Sequence, residues 1–243
     1  MGVSRGPSPI VTDGLVFAID AGNTRCWASP SSTDVINLIN PAITGSTIND
    51  NSPGPLDGGN GYFELDGTDD YIDFGEQSFL EGKTNLTVSC WHQSTVAANK
   101  VLWGASTTSV NSYLTVLIYH SSNKIYVEYN NGGTQYGLLN ASTGDLAVDE
   151  WGEITVVFDA SGGSAANNVK MYINGNYVAF SSFGGGAFSS TAADLDPFYL
   201  GSDTKYAAYD WQGYIGPTMV WNRSLTATEI LQNYNSQKSR FGL

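Results

Sequence analysis

The stretch that most constrains this 243-residue chain runs Val169-Lys170-Met171-Tyr172-Ile173-Asn174-Gly175-Asn176-Tyr177-Val178. Asn-Gly supplies the two positive-φ positions of a type I′ turn, whose twist matches that of two antiparallel strands. With β-branched and aromatic residues on both flanks, the stretch predicts a β-hairpin. The same punctuation recurs where Tyr62-Phe63-Glu64-Leu65 and Tyr71-Ile72-Asp73-Phe74 flank Asp66-Gly67-Thr68-Asp69-Asp70. Lys124 to Tyr129 alternates, which puts Ile125, Val127 and Tyr129 on one face and predicts a polar, wet opposite face. Further strands are predicted over Asn85–Gln93, Val101–Gly104, Tyr113–Tyr119, Gly152–Phe158 and Tyr177–Phe180, with Gly14 to Asp20 as a first core strand.

Between Ala28 and Gly61 the chain is rich in Ser, Thr, Asn, Pro and Gly, and a long surface connection is expected there. Near the end Thr226-Ala227-Thr228-Glu229 reads as a capping box, followed by Ile230, Leu231 and Tyr234 on one stripe, so one short helix is expected. With 28 glycines, 12% aromatic and only 14% charged residues, the composition suits an all-β, two-sheet antiparallel sandwich. Sandwiches of about 200–250 residues often form one domain, which gives residues 1–13 as an extended arm and a possible docking segment, and 14–243 as a single domain.

Ten basic against 23 acidic residues, a net charge of −13, argue against nucleic acid, whose phosphates are bound by clustered Lys and Arg. No stretch approaches the roughly 20 apolar residues of a membrane span, and the start has no apolar signal segment. Cys26 and Cys90 have no metal-ligand spacing, so free thiols in a reducing cytoplasm are expected, with a disulfide as the alternative.

Four ordered segments carry a family resemblance. They are Asp13 to Asn23, the hairpin Phe63 to Ile72, the turn Met171 to Gly175, and Trp221-Asn222-Arg223-x-Leu225-x-x-x-Glu229-Ile230. Together they resemble the laminin-G-like group of the concanavalin A-like lectin/glucanase superfamily, which implies a jelly-roll sandwich. The opening Ser4-Arg5-Gly6-Pro7 with Ile10 to Val16, and the ending Leu231 to Asn235 with Ser239 to Gly242, look like laminin-G-like virion structural proteins of tailed phages. That resemblance implies a virion protein assembled in the host bacterial cytoplasm, present in multiple copies, partnered by other virion proteins through residues 1–13 and by cell-surface polysaccharide. Many relatives carry an acidic residue where this chain has Gly216, which removes one metal ligand.

Sugar binding on such sandwiches uses exposed aromatic rings, and Tyr206, Tyr209 and Trp211, after a Gly-Ser-Asp turn, are the candidates; core or interface packing is the alternative. Trp91, Trp103, Trp151 and Trp221 read as core. For Ca²⁺, Asp66, Asp69, Asp70 and Asp73 offer hard oxygens, and the resemblance brings Asp20 toward them; Asx turns explain the hairpin equally well. Relatives that cut β-glucans use alternating carboxylates on a strand, for which Glu64 and Asp66, then Asp69, are the nearest match. Phe63 and Leu65 claim the buried face, so these carboxylates should point to solvent and no enzyme is expected. His92 and His120 sit near no Gly-x-Ser-x-Gly elbow, and Gly184-Gly185-Gly186 has no following Lys.

Overall fold

The computed structural model describes residues 9–29, 32–49, 61–107, 112–119, 124–132, 134–140, 147–163, 168–184, 188–206 and 208–243. Two antiparallel sheets are formed. In the first, β1 (Leu15–Ile19), β16 (Gln212–Trp221), β6 (Asn85–Ser94), β11 (Gly152–Asp159), β12 (Val169–Ile173) and β13 (Asn176–Val178) follow in that order, and β4 (Phe63–Asp66) pairs with β16. In the second the order is β14 (Phe180–Gly184), β10 (Thr134–Asn140), β9 (Lys124–Asn131), β8 (Ser112–Tyr119), β7 (Asn99–Ser106), β15 (Phe198–Leu200), β5 (Tyr71–Asp73), β3 (Thr44–Ile48) and β2 (Asp34–Ile36). Strands joined by long crossovers between two sheets make a jelly-roll sandwich.

Alternation decides which residues lie between the sheets. Phe17, Val88, Ile154 and Val156 from the first sheet meet Trp103, Val116, Val127 and Phe198 from the second in one buried cluster. Phe17 sits edge-on to Phe74 at 5.0 Å and to Phe198 at 5.7 Å, the T-shaped geometry that ring quadrupoles favour. Asn174 (φ 51°) and Gly175 (φ 75°) make the predicted I′ turn. A Cβ on Gly175 would also press Leu231 and Tyr234 at 3.1 Å, so this turn is seated against a helix.

That helix, α1 (Ala227–Gln237), begins with the predicted box, Thr226 Oγ1 accepting from the Glu229 N–H and the Glu229 carboxylate accepting from the Thr226 N–H. Arg223 grips the same carboxylate with both terminal nitrogens, 3.1 and 2.6 Å, and holds its pKa down to about 2. The helix lies on the outer face of the seven-stranded sheet. Val157, Tyr172, Met219, Trp221, Leu225 and Ile230 form a second buried cluster there, joined by Ile10, Val11 and Leu15. Residues 9–13 of the arm are pinned to this face, with the Val11 N–H on Asn233 Oδ1 (2.8 Å) and Trp221 Nε1–H on the Val11 carbonyl (2.8 Å); residues 1–8 lie outside the described residues.

Three local expectations need correction. The segment 28–61 holds two strands, β2 and β3, because Val35 is buried and the bare Gly45 lets the Phe74 ring lie against the backbone. Residues 177–180 are not one strand, since the chain leaves one sheet after Val178 and enters the other at Phe180. The opposite face of β9 is wet only in part, for Lys124 and Tyr126 are partly exposed whereas Glu128 and Asn130 are buried. Cys26 and Cys90 are free and buried, and burial pushes their thiols up to about 11 and 12. Among the described residues no helix is long and apolar enough to cross a membrane.

Candidate functional site

The loop that covers β9 follows β15. Gly201 turns the chain at φ 86°, and the Trp211 N–H returns to the Gly201 carbonyl at 2.7 Å, so the chain leaves the sheet after Gly201 and rejoins it at Trp211 close to the same point, as the ends of an Ω-loop do. The loop lies across the outer face of the nine-stranded sheet. Asp203 is fully buried on top of Gly104, where a Cβ would collide with its carboxylate. Its oxygens accept from Ser106 Oγ (2.5 Å), the Lys205 N–H (2.6 Å) and Thr115 Oγ1. Burial raises the Asp203 pKa, opposed by these donors.

Beyond Asp203, Lys205 and Tyr206 both donate to Glu128 Oε2, the lysine at 2.5 Å, and the ammonium sits 3.5 Å above the Tyr113 ring. Burial and the hydrogen bond to Glu128 push the Tyr206 phenol far up. Tyr206 and Tyr209 stack with centroids 5.8 Å apart, and the Tyr209 carbonyl accepts from the Val101 N–H at 2.7 Å. Of the three predicted stacking residues, these two lie together, half-buried, on the loop. Trp211 does not join them: it is 0% exposed, with its ring edge-on to buried His92 at 5.5 Å. Its place beside the loop neck makes it core, and the expectation of a free ring face is corrected.

Next to the loop, the sheet face is open. Tyr71 and Tyr199 project from β5 and β15 with centroids 4.8 Å apart, both partly exposed. Partial burial with Asp73 and Tyr71 beside it pushes the Tyr199 phenol up to about 12, and Asp196 and Asp203 add to this. Tyr71 is raised by burial, Asp73 and Asp210. The two rings therefore sit among carboxylates. Sequence reasoning missed this pair, although Tyr71-Ile72-Asp73 and Phe198-Tyr199-Leu200 both alternate and Ile72 and Leu200 are the buried members.

The acidic hairpin lies at the rim of the same face. Asp66, Asp69 and Asp70 each offer a carboxylate oxygen within 4.8 Å of the others, close enough for one Ca²⁺ at about 2.3–2.6 Å from each ligand. Part of this set is already used, since Asp66 Oδ1 accepts from the Thr68 N–H (2.7 Å) and Asp70 Oδ2 from the Asp66 N–H (3.0 Å). Lys100 Nζ donates to the Gly67 carbonyl and its charge reaches Asp210, whose own pKa is raised by burial and further by Asp69 and Asp66. Asp73 is on β5, not in the cluster. Asp20 is elsewhere too, both its oxygens held at 2.7 Å by Arg240; that ion pair outcompetes the approach to the hairpin.

Glu64 and Asp66 share the outer side of β4 while Phe63 and Leu65 are buried. Glu64 lies opposite Tyr214 on β16 and Asp66 opposite Gln212. His120 and Gly185–Gly186 lie outside the described residues.

No curated protein matches the chain in sequence. Among solved structures, domain 4 of the extracellular GH43 arabinanase AbnA of Geobacillus stearothermophilus, in complex with arabinotriose, is similar at TM-score 0.63 and 16% identity, over 90% of this chain and 98% of that one. The CBM40 of Ruminococcus gnavus IT-sialidase, bound to α2,3-sialyllactose, is similar at TM-score 0.54 and 16% identity, over 70% of this chain and 94% of that one. The receptor-binding domain of botulinum neurotoxin type G gives 0.60 and 14%, and the match spans 93% of this chain and 52% of that one. At such identities these likenesses concern the fold. A family profile described as concanavalin A-like lectin/glucanases superfamily matches residues 66–231, well over half of the sequence, and with the sandwich on which Tyr71, Tyr199 and the 202–210 loop are mounted, the chain belongs to that superfamily.

Proposed function

We propose that the chain is a non-catalytic glycan-binding sandwich displayed in many copies on a phage particle, where it attaches the particle to host-surface polysaccharide. The observation that carries this is the Tyr71–Tyr199 pair, two partly exposed rings 4.8 Å apart on a sheet face lined by carboxylates. A sugar presents C–H faces to such rings and hydroxyl donors to such acceptors. Two of the structural neighbours carry saccharides, arabinotriose and sialyllactose. The latter is acidic. Near the face Lys205 is paired with Glu128, the Lys100 charge acts on Asp210, and carboxylates crowd the two rings, which favours a neutral sugar over an acidic one. A Ca²⁺ ion on Asp66, Asp69 and Asp70 would brace the rim. The phage setting is supported by the resemblance of the first and last segments to virion proteins. Many copies multiply weak contacts through effective concentration.

The test is an array of bacterial surface polysaccharides probed with the parent and with Tyr71→Ala/Tyr199→Ala, together with labelled antibody on intact particles. Parent binding should fall at least about fivefold in the double variant, since ring contacts contribute about 0.5–1.5 kcal/mol each beyond their buried area. An array silent for the parent, or equal binding by both proteins, ends the proposal.

A further inference from the structure

The opposite side of the molecule carries a second aromatic surface. Tyr62 precedes β4, Trp151 precedes β11 and Tyr214 lies on β16, all on the outer side of the seven-stranded sheet. Their centroids are 4.5 Å (Tyr62 to Tyr214), 5.9 Å (Tyr62 to Trp151) and 6.3 Å (Trp151 to Tyr214) apart, and all three rings are partly exposed. Phe241, on the 3₁₀ turn Lys238–Phe241, supports Trp151 at 4.5 Å and is itself stacked on buried Trp91 at 4.3 Å. Arg240 fixes this turn by its ion pair with Asp20 and a bond to the Gly61 carbonyl at 2.8 Å. Between them lies a cleft of about 330 Å³ lined by Tyr62, Trp151, Arg240, Phe241 and Gly242, at the lower end of the size range of small-ligand sites.

Packing alone does not account for this cluster. A core needs rings that are covered, as Trp27, Trp91, Trp103, Trp211 and Trp221 are, each 0% exposed; of the six tryptophans, Trp151 alone is partly exposed, which corrects its reading as core. Glu64 and Asp149 lie close enough to Tyr214 for their charges to raise its phenol, in addition to burial, so hydrogen-bond acceptors flank the rings. The one cation in the lining, Arg240, has both terminal nitrogens committed to Asp20. Apolar faces bordered by acceptors, with the guanidinium neutralised, suit a polyhydroxylated ring without charge and disfavour an anion.

We infer that this cleft is a second glycan site, which seats one neutral pyranose residue of a polysaccharide on the Tyr62 and Trp151 rings, with Tyr214 packed against both to hold them in place. It rests on the reading of the chain as glycan-binding, and differs from it in face, residues and readout. With sites on both outer faces, one chain would cross-link two glycan strands.

Trp151 supplies the experiment, because acrylamide can quench the fluorescence of no other described tryptophan efficiently. The full chain is titrated with maltohexaose, cellohexaose and, as an acidic control, sialyllactose, with calorimetry in parallel. A neutral hexasaccharide should bind and abolish most of the acrylamide quenching, while sialyllactose should not. Tyr62→Ala and Tyr214→Ala should each weaken that protection about tenfold, and Tyr71→Ala/Tyr199→Ala should leave it intact. Glu64→Gln and Asp149→Asn, which keep every ring in place, should weaken it less. Calorimetric binding with Trp151 still fully quenched overturns this site and leaves the nine-stranded face as the receptor surface. Absence of binding to either hexasaccharide overturns this site, silence on the polysaccharide array overturns both readings, and sugar-independent protection that grows with protein concentration assigns the cleft to a second copy of the chain and overturns it too.

Discussion

The two outer faces of the sandwich are made from strands of similar pattern and are closed by opposite means. On the seven-stranded sheet, α1 and residues 9–13 lay apolar side chains over Val157, Met219 and Trp221. On the nine-stranded sheet, the 202–210 loop closes over Thr115 and Glu128 with hydroxyls, an ammonium and a buried carboxylate. The apolar cover gains free energy in proportion to area and needs no particular angle. The polar cover gains little net energy per bond, yet every partner must be in place, because a buried polar group left alone is costly. The first face should therefore dominate stability, and the second should fix the shape beside which Tyr71 and Tyr199 stand.

The largest effect is expected on the helical side. Trp221→Ala empties a fully buried site under residues 9–13 and should cost about 3–5 kcal/mol in urea unfolding. A loss below about 1 kcal/mol would mean that the apolar cover is not what secures that face. Next comes Glu153, buried under the same helix, where its Oε1 accepts from Ser89 Oγ at 2.6 Å and Tyr234 feels its charge. Burial raises its pKa to about 7, opposed only by the Ser89 bond. Because the folded value lies above the unfolded one, the stability it contributes is complete below about pH 4.5 and is lost as pH climbs through 7, a fall of about 3 kcal/mol. Glu153→Gln should flatten the melting curves between pH 5 and 8; an unchanged slope would locate the titration elsewhere. The smallest effect belongs to the polar face. Asp203→Ala removes the acceptor of Ser106, Thr115 and the Lys205 N–H and should cost about 1–3 kcal/mol, with faster amide exchange confined to the loop between Gly201 and Trp211. Exchange that accelerates throughout the helix instead would erase the contrast between the two covers.

Much of the architecture was legible because the signals are local. Asn174-Gly175 dictates its own φ values, Thr226 and Glu229 name both partners of their cap, and the alternation at Ile125, Val127 and Tyr129 marks the inward face of β9. The strands at Asp34–Ile36 and Thr44–Ile48 were not legible, since residues so short and polar become strands only when β5 offers its edge. The candidate site was half legible. A loop bearing Tyr206 and Tyr209 could be seen, but the burial of Trp211 depends on His92, more than a hundred residues earlier in the chain. That Glu128 would be covered depends on Lys205 and Tyr206, and that Asp20 would turn to Arg240 depends on where the chain's last turn comes to rest. Such partners are set by tertiary distance, which no periodicity encodes.

The passage from β13 to β14 uses a single residue, Ala179, between strands of different sheets. That short tether staples the two layers along one margin, so neither can slide by a pleat without breaking the three register pairs of β12 with β13 or the five of β10 with β14. A sandwich fastened in this way cannot gape along that margin to admit a guest between its layers.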